Sequence, residues 1–238
     1  MDAPTLDVAL FVQRFDPQSL DFYRPILARH TASIKVRRET TALPNLQKIF
    51  LQTLALSNSQ GFQAMGLRDL SAATGISLGA LYSYIDSKDH LLRMILEQVN
   101  DGLGQVISEQ AAQPLEPRQH LTTLLRALLY TAEALHPWLF FAMMEGHHLP
   151  ARPEAAASTE ALPSCGQIID GAMIEVLNAT RGIGQLRWAD TTMAAALIKP
   201  LVTEWVLNRE TFAARSLPVE HYADAVVAFV EQSLLLGP

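Results

Sequence analysis

Gly75 stands between two short apolar-patterned stretches, residues 67–74 and 77–85, and this spacing constrains the fold more than any other feature. A residue without a Cβ ends a helix in the left-handed region and turns the chain sharply. Ser77, two positions on, is a natural N-cap for the next helix. Leu70, Ile76 and Leu81 fall where two such helices must pack together, and Ser71 is small enough for their close approach. The spacing predicts a helix-turn-helix over residues 67–85 with Ser77, Tyr82 and Ser83 on an outward polar face. Two core helices meeting at an ordinary glycine turn would account for the apolar positions, but not for those three.

Around this unit, apolar residues recur at helical spacing and no sustained stretch alternates with the period of a strand, so the chain reads as all-α. Pro44 and Asn45 open a helix whose inward stripe is Leu46, Ile49, Phe50, Thr53 and Leu54, and Gly61 closes it. Ser87 caps a longer helix from Lys88 that carries Leu91, Leu92, Ile95, Val99 and Val106. Beyond Pro114, helices are expected over residues 117–135, 137–144, 163–181, 190–208 and 218–236. Residues 145–162 have no clear period and read as a loop, either a lid or disordered. Three parts follow: an N-terminal extension (1–43), a helix-turn-helix domain (44–87) and a larger helical domain (88–238). For the extension two readings stay open: a partly disordered segment, or an arm that tracks phosphates or packs on the body.

Charge divides along the same lines. The net charge of −6 is unfavourable for a partner rich in phosphate. Yet residues 24–93 hold nine basic side chains against four acidic, while from Val106 onward there are 8 basic and 14 acidic. A basic front and an acidic back suggest a division of labour. No apolar run approaches the roughly 20 residues needed to span a bilayer. With no signal pattern at the start and Cys165 as the single cysteine, a soluble, cytoplasmic protein is expected.

The run Gly61-Phe62, Leu67-Arg68-Asp69-Leu70, Gly75-Ile76-Ser77, Gly79-Ala80-Leu81-Tyr82, Tyr84, Ser87-Lys88-Asp89 and Leu91-Leu92 resembles the DNA-binding domain of the TetR family of bacterial transcriptional regulators. The resemblance spans about residues 46–96; beyond it the likeness is one of architecture alone. It implies that operator DNA is the partner. Arg68 then matches an arginine that reaches a base or phosphate in some members. Ser77, Tyr82 and Lys88 match phosphate-facing positions. Leu78, Gly79, Ala80 and Ser83 match positions presented to base edges, where an apolar pair suits a thymine methyl. Gly66 departs from the usual capping Ser or Thr, Leu78 from a polar or basic residue, and Ser57 from a core aromatic.

One recognition helix makes too few contacts for operator-level affinity, so a homodimer is expected. Candidate pairing stripes lie on the last two helices: Met193, Leu197, Leu201 and Trp205, then Tyr222, Val226, Phe229, Val230 and Leu234. Both stripes could instead serve the internal core. Aromatics and methionines suggest a pocket for a hydrophobic small-molecule effector, with Trp138, Phe141, Met144, His147 and Trp205 as candidate ligand contacts and Arg126, Lys199 and Glu204 as candidate orienting groups. A repressor released by that effector is the expected function. The alternatives are a DNA-bound interaction protein without an effector, or a small helical enzyme. The last lacks support: His147 and His148 adjoin in a loop without metal-ligand spacing, Cys165 and Ser164 have no evident base, and no phosphate-cradling glycine loop occurs, so neither metal nor cofactor is expected.

Overall fold

The computed structural model describes residues 6–148 and 162–236. Much of the loop expected over residues 145–162 therefore lies outside the described residues. Three helices form the helix-turn-helix domain: α3 (Glu39–Gln60), α4 (Leu67–Thr74) and α5 (Leu78–Leu81). Leu46, Ile49, Phe50 and Thr53 of α3 are wholly buried, and the Thr53 hydroxyl is satisfied by donating to the Ile49 carbonyl at 2.7 Å. The helix starts at Glu39, earlier than the Pro44 start expected. Pro44 lacks only its own N–H, so it removes one early helical bond, while burial of Ala42 and Leu43 holds the added turn in place.

The larger body is built around α7 (Pro117–Ala134), which is flanked by α6 (Lys88–Ala111), α9 (Cys165–Gly182), α10 (Thr191–Leu207) and α12 (Val219–Leu234). Neighbours on several sides explain why Leu121, Leu125, Ala127, Leu129 and Ala132 are all buried, more of the circumference than one amphipathic stripe would occupy. Helix α8 (His136–Glu145) joins this body to the first domain, since it packs on both α6 and α3. A short helix not expected from sequence, α11 (Arg209–Ala214), follows Asn208 and brings Phe212 flat against Trp205, with ring centroids 5.0 Å apart.

The N-terminal extension packs on the body, the second of its two readings. It contains α1 (Val8–Arg14), a 3-10 turn (Leu20–Tyr23) and α2 (Arg24–Arg29). Tyr23, Ile26 and Ile34 are fully buried, so the segment belongs to the core. It lies along one face of α6, where contacts recur about once per turn. Arg14 binds Glu109 at 2.6 Å and Gln105 at 3.1 Å, Arg29 pairs with Asp101, Gln98 donates to the Phe22 carbonyl at 3.2 Å, and His30 Nε2 lies 3.0 Å from Glu97. Gly102 permits this approach, because a Cβ there would come within 3.3 Å of the Phe15 ring.

Candidate nucleic-acid interface

The turn between α4 and α5 is fixed by local chemistry. Gly75 has φ +69°, the left-handed conformation its position requires, and its N–H donates to the Ser71 carbonyl at 3.1 Å. The Ser71 hydroxyl donates to the Ile76 carbonyl at 2.7 Å, and the Thr74 hydroxyl accepts from the Ile76 N–H at 3.2 Å. Ser77 then caps α5 by accepting from the Ala80 N–H at 3.3 Å. At the start of α4, Gly66 has no side chain to cap with, and Asp69 accepts from the Gly66 N–H at 2.8 Å instead.

Leu81, Tyr84 and Ile85 anchor the inner side of this unit, and the Tyr84 hydroxyl accepts from Asn45 Nδ2 of α3 at 2.8 Å. Ser77, Gly79 and Tyr82 are left exposed, with Tyr82 44% accessible, while Leu78, Ala80 and Ser83 are half-buried. Arg68 is exposed beside them on α4, with no carboxylate partner among the described residues. Of the expected outward face Ser77 and Tyr82 are exposed and Ser83 is half-buried, and the regular helix ends at Leu81, the chain continuing to Tyr84 as turns.

Lys88, expected to face a phosphate, also has an internal role. Its Nζ donates to the Gln63 carbonyl at 2.8 Å and lies 4.8 Å from the centre of the Phe62 ring. Burial pulls its pKa below the ordinary lysine value, against the pull of Asp89 and Glu145. The interaction ties the start of α6 to the turn after α3, a link that spacing along the sequence does not reveal.

The tetR family of bacterial regulatory proteins matches residues 49–95, the segment holding most of α3, all of α4 and α5, and the start of α6. Residues 49–95 thus belong to the tetR family of bacterial regulatory proteins. The chain's sequence carries the family in that segment, and beyond it the likeness lies in the fold. The ketosteroid transcriptional regulator KstR2 of Mycobacterium tuberculosis is 18% identical, with 80% of this chain and 94% of that one covered at a TM-score of 0.66. A gamma-butyrolactone receptor described as ArpA-like is 16% identical, covering 81% and 88% at a TM-score of 0.62. PfmR, a TetR-family transcriptional regulator from Thermus thermophilus, is 19% identical, covering 76% and 93% at 0.57. No curated protein matches the sequence.

The five candidate ligand contacts do not converge. Phe141 and Met144 line an open cleft of about 480 Å³ between α3, α8 and the α10–α11 junction, together with Ser57, His136, Phe140 and Val206. Trp138 and Trp205 lie elsewhere in the core. Trp138 sits among Phe22, Tyr23 and Phe50, the aromatic group that fastens the extension to α3. Trp205 donates through Nε1 to Glu133 at 3.0 Å, and Arg209 binds the same carboxylate through two nitrogens at 2.6 and 2.8 Å. Burial alone would raise the Glu133 pKa, but the Arg209 and Trp205 hydrogen bonds bring it below the usual carboxylate range. His147 is exposed in the middle of the 3-10 turn (Gly146–His148) that follows α8. The suggested orienting groups are also held by the protein: Arg126 pairs with Asp224, Lys199 with Asp170 at 2.6 Å, and Glu204 accepts from Asn208 at 2.9 Å. A second cavity, between α6, α7 and α9, measures only about 120 Å³. Among the described residues no group of three or more His, Cys, Asp or Glu side chains could hold a metal ion, and no helix is long and apolar enough to cross a membrane.

Proposed function

We propose that the chain represses transcription as a homodimer whose two α5 helices enter successive major grooves of an operator, and that a hydrophobic small molecule releases it. The observation that carries this reading is the exposure of Ser77, Gly79 and Tyr82 on a unit whose reverse side is locked by Leu81, Tyr84 and Ile85. In this assignment Ser77, Tyr82 and Lys88 meet phosphates, Leu78, Gly79, Ala80 and Ser83 face base edges, and Arg68 reaches a base or phosphate from α4.

Pairing of α10 and α12 with their symmetry mates is supported by Met193, Leu197 and Phe229, which are 51%, 50% and 58% exposed, far more than core residues of their type. Trp205, Val226, Val230 and Leu234 of the same stripes are buried within the chain's own core, and Leu201 and Tyr222 are half-buried. The face offered to a partner is thus narrower than the sequence stripes.

For the effector, the cleft beside Phe141 and Met144 is favoured over the smaller cavity. About 480 Å³ falls in the range of small-molecule sites and about 120 Å³ does not. Its wall includes Ser57 of α3, so an occupant would bear directly on the DNA-binding domain. Release requires a ligand that binds more tightly to the arrangement in which the two α5 helices are wrongly spaced. The names of two structural relatives point the same way, toward apolar effectors such as a ketosteroid or a gamma-butyrolactone. Selection of genomic fragments by the purified protein, followed by displacement with apolar compounds, tests both parts. Enrichment of a two-fold symmetric site supports the first part, and displacement that Met144→Arg abolishes supports the second. No enrichment would refute the repressor reading.

A further inference from the structure

The extension meets the turn that follows α5. The backbone N–H of Lys35 donates to the carbonyl of Ser83 at 2.8 Å, at the end of the α5 turn. Around this bond the chain alternates as an extended segment does: Ile34 is fully buried and Val36 half-buried against the core, while Lys35 and Arg37 point outward. Arg38, also exposed, has extended backbone angles and leads directly into α3. Arg37 lies two residues beyond the bonded Lys35, hence no more than about 7 Å further along the chain.

Charge pairing singles out the same residues. Arg14, Arg24 and Arg29 of the extension are each matched with a carboxylate, namely Glu109, Asp21 with Glu39, and Asp101. Lys35, Arg37 and Arg38 have no such partner among the described residues. Three uncompensated cations within four residues are thus fixed beside the polar face of α5. Their spacing suits the phosphates of one DNA strand, which recur about every 3.4 Å of helix axis.

We propose that Lys35, Arg37 and Arg38 form a phosphate-binding arm that grips the DNA backbone bordering the groove entered by α5. The arm rests on the proposed entry of α5 into DNA, and it enlarges the contact without reading sequence. Its chemistry predicts a sequence-independent effect that grows as salt is lowered.

The test uses a labelled duplex of arbitrary sequence and the full-length protein, with binding followed by fluorescence anisotropy from about 50 to 300 mM salt. Arg37→Gln/Arg38→Gln should lower the slope of log K against log salt by about 1.8 per bound protomer, hence about 3.6 for the dimer, from about 0.9 per lost phosphate contact, and weaken binding near 0.1 M salt by at least tenfold. Arg37→Lys/Arg38→Lys should restore most of the slope. Arg215→Ala removes an exposed arginine of the far domain and should leave the slope unchanged. A wild-type slope in the Gln variant would overturn the arm while leaving the α5 reading intact. An equal loss in Arg215→Ala would also overturn it, by showing a general charge effect. Failure of the wild-type protein to bind any duplex would remove both.

Discussion

Trp138 of α8 stacks on Phe50 of α3, ring centroids 5.2 Å apart and planes 25° apart. Phe22 and Tyr23 of the extension close on the same indole at 5.0 and 6.2 Å, so one side chain joins the helix-turn-helix domain, the larger body and the extension. Its Nε1 is buried without a hydrogen-bond partner among the described residues, so its contribution is that of packed surface rather than of a polar anchor. Trp138→Ala should cost about 3–5 kcal/mol of stability by opening a cavity where the three meet. Trp138→Phe keeps a ring and removes the unsatisfied N–H, so it should cost clearly less. Denaturant unfolding of both variants checks the order.

Tyr82 is exposed, and its hydroxyl makes no hydrogen bond within the described residues. Tyr82→Phe should therefore leave the melting temperature unchanged while weakening duplex binding by the dimer about thirtyfold, the worth of roughly 1 kcal/mol for the hydrogen bond lost in each protomer. Paired melting and anisotropy measurements separate the two effects. A lowered melting temperature would mean that the side chain serves the fold.

Leu197 and Phe229 offer apolar surface that the chain itself leaves half uncovered. Leu197→Glu/Phe229→Glu should yield a folded monomer by light scattering, because four charges would face one another across a two-fold axis. Unchanged mass would place the pairing surface elsewhere.

Acidification should loosen the contact between α6 and the extension. His90 is held below the usual imidazole pKa by burial, then by the neighbouring His30, and also by Arg93, against the opposing pull of Asp86 and Glu97. Its Nδ1 accepts from the Asp86 N–H at 3.1 Å, which requires that nitrogen to be unprotonated. The unfolded chain therefore takes up the proton first as pH drops below about 6.5, and stability falls through the lower folded pKa. Melting temperatures recorded from about pH 7 to 5 should decline, and His90→Asn should flatten that decline. An identical pH profile in the variant would absolve His90.

The helix-turn-helix could be read from sequence because its signals are local. Gly75, Ser77 and the apolar positions around them act within a few residues, and α4 spans the residues expected. Boundaries set by distant burial could not: α3 begins at Glu39 because Ala42 and Leu43 find a core, and α11 follows Asn208 where Phe212 meets Trp205. The fate of the extension turned on its matching the one-turn spacing of Gln98, Gly102, Gln105 and Glu109 on α6. That relation spans a long separation in sequence, and no local pattern encodes it. Aromatic richness identified buried residues but could not say whether they enclose a ligand. Trp138 and Trp205 show the difference, since both complete contacts within the protein.

Hydroxyl-radical footprinting on a fragment selected from genomic DNA asks whether α5 is the helix that reads DNA. Two protected regions related by two-fold symmetry are expected, centred about 10 base pairs apart or a multiple of that, both lost in Ser77→Ala/Tyr82→Ala. A footprint that persists in that variant, or no protected site at all, would contradict the assignment of α5 to the major groove.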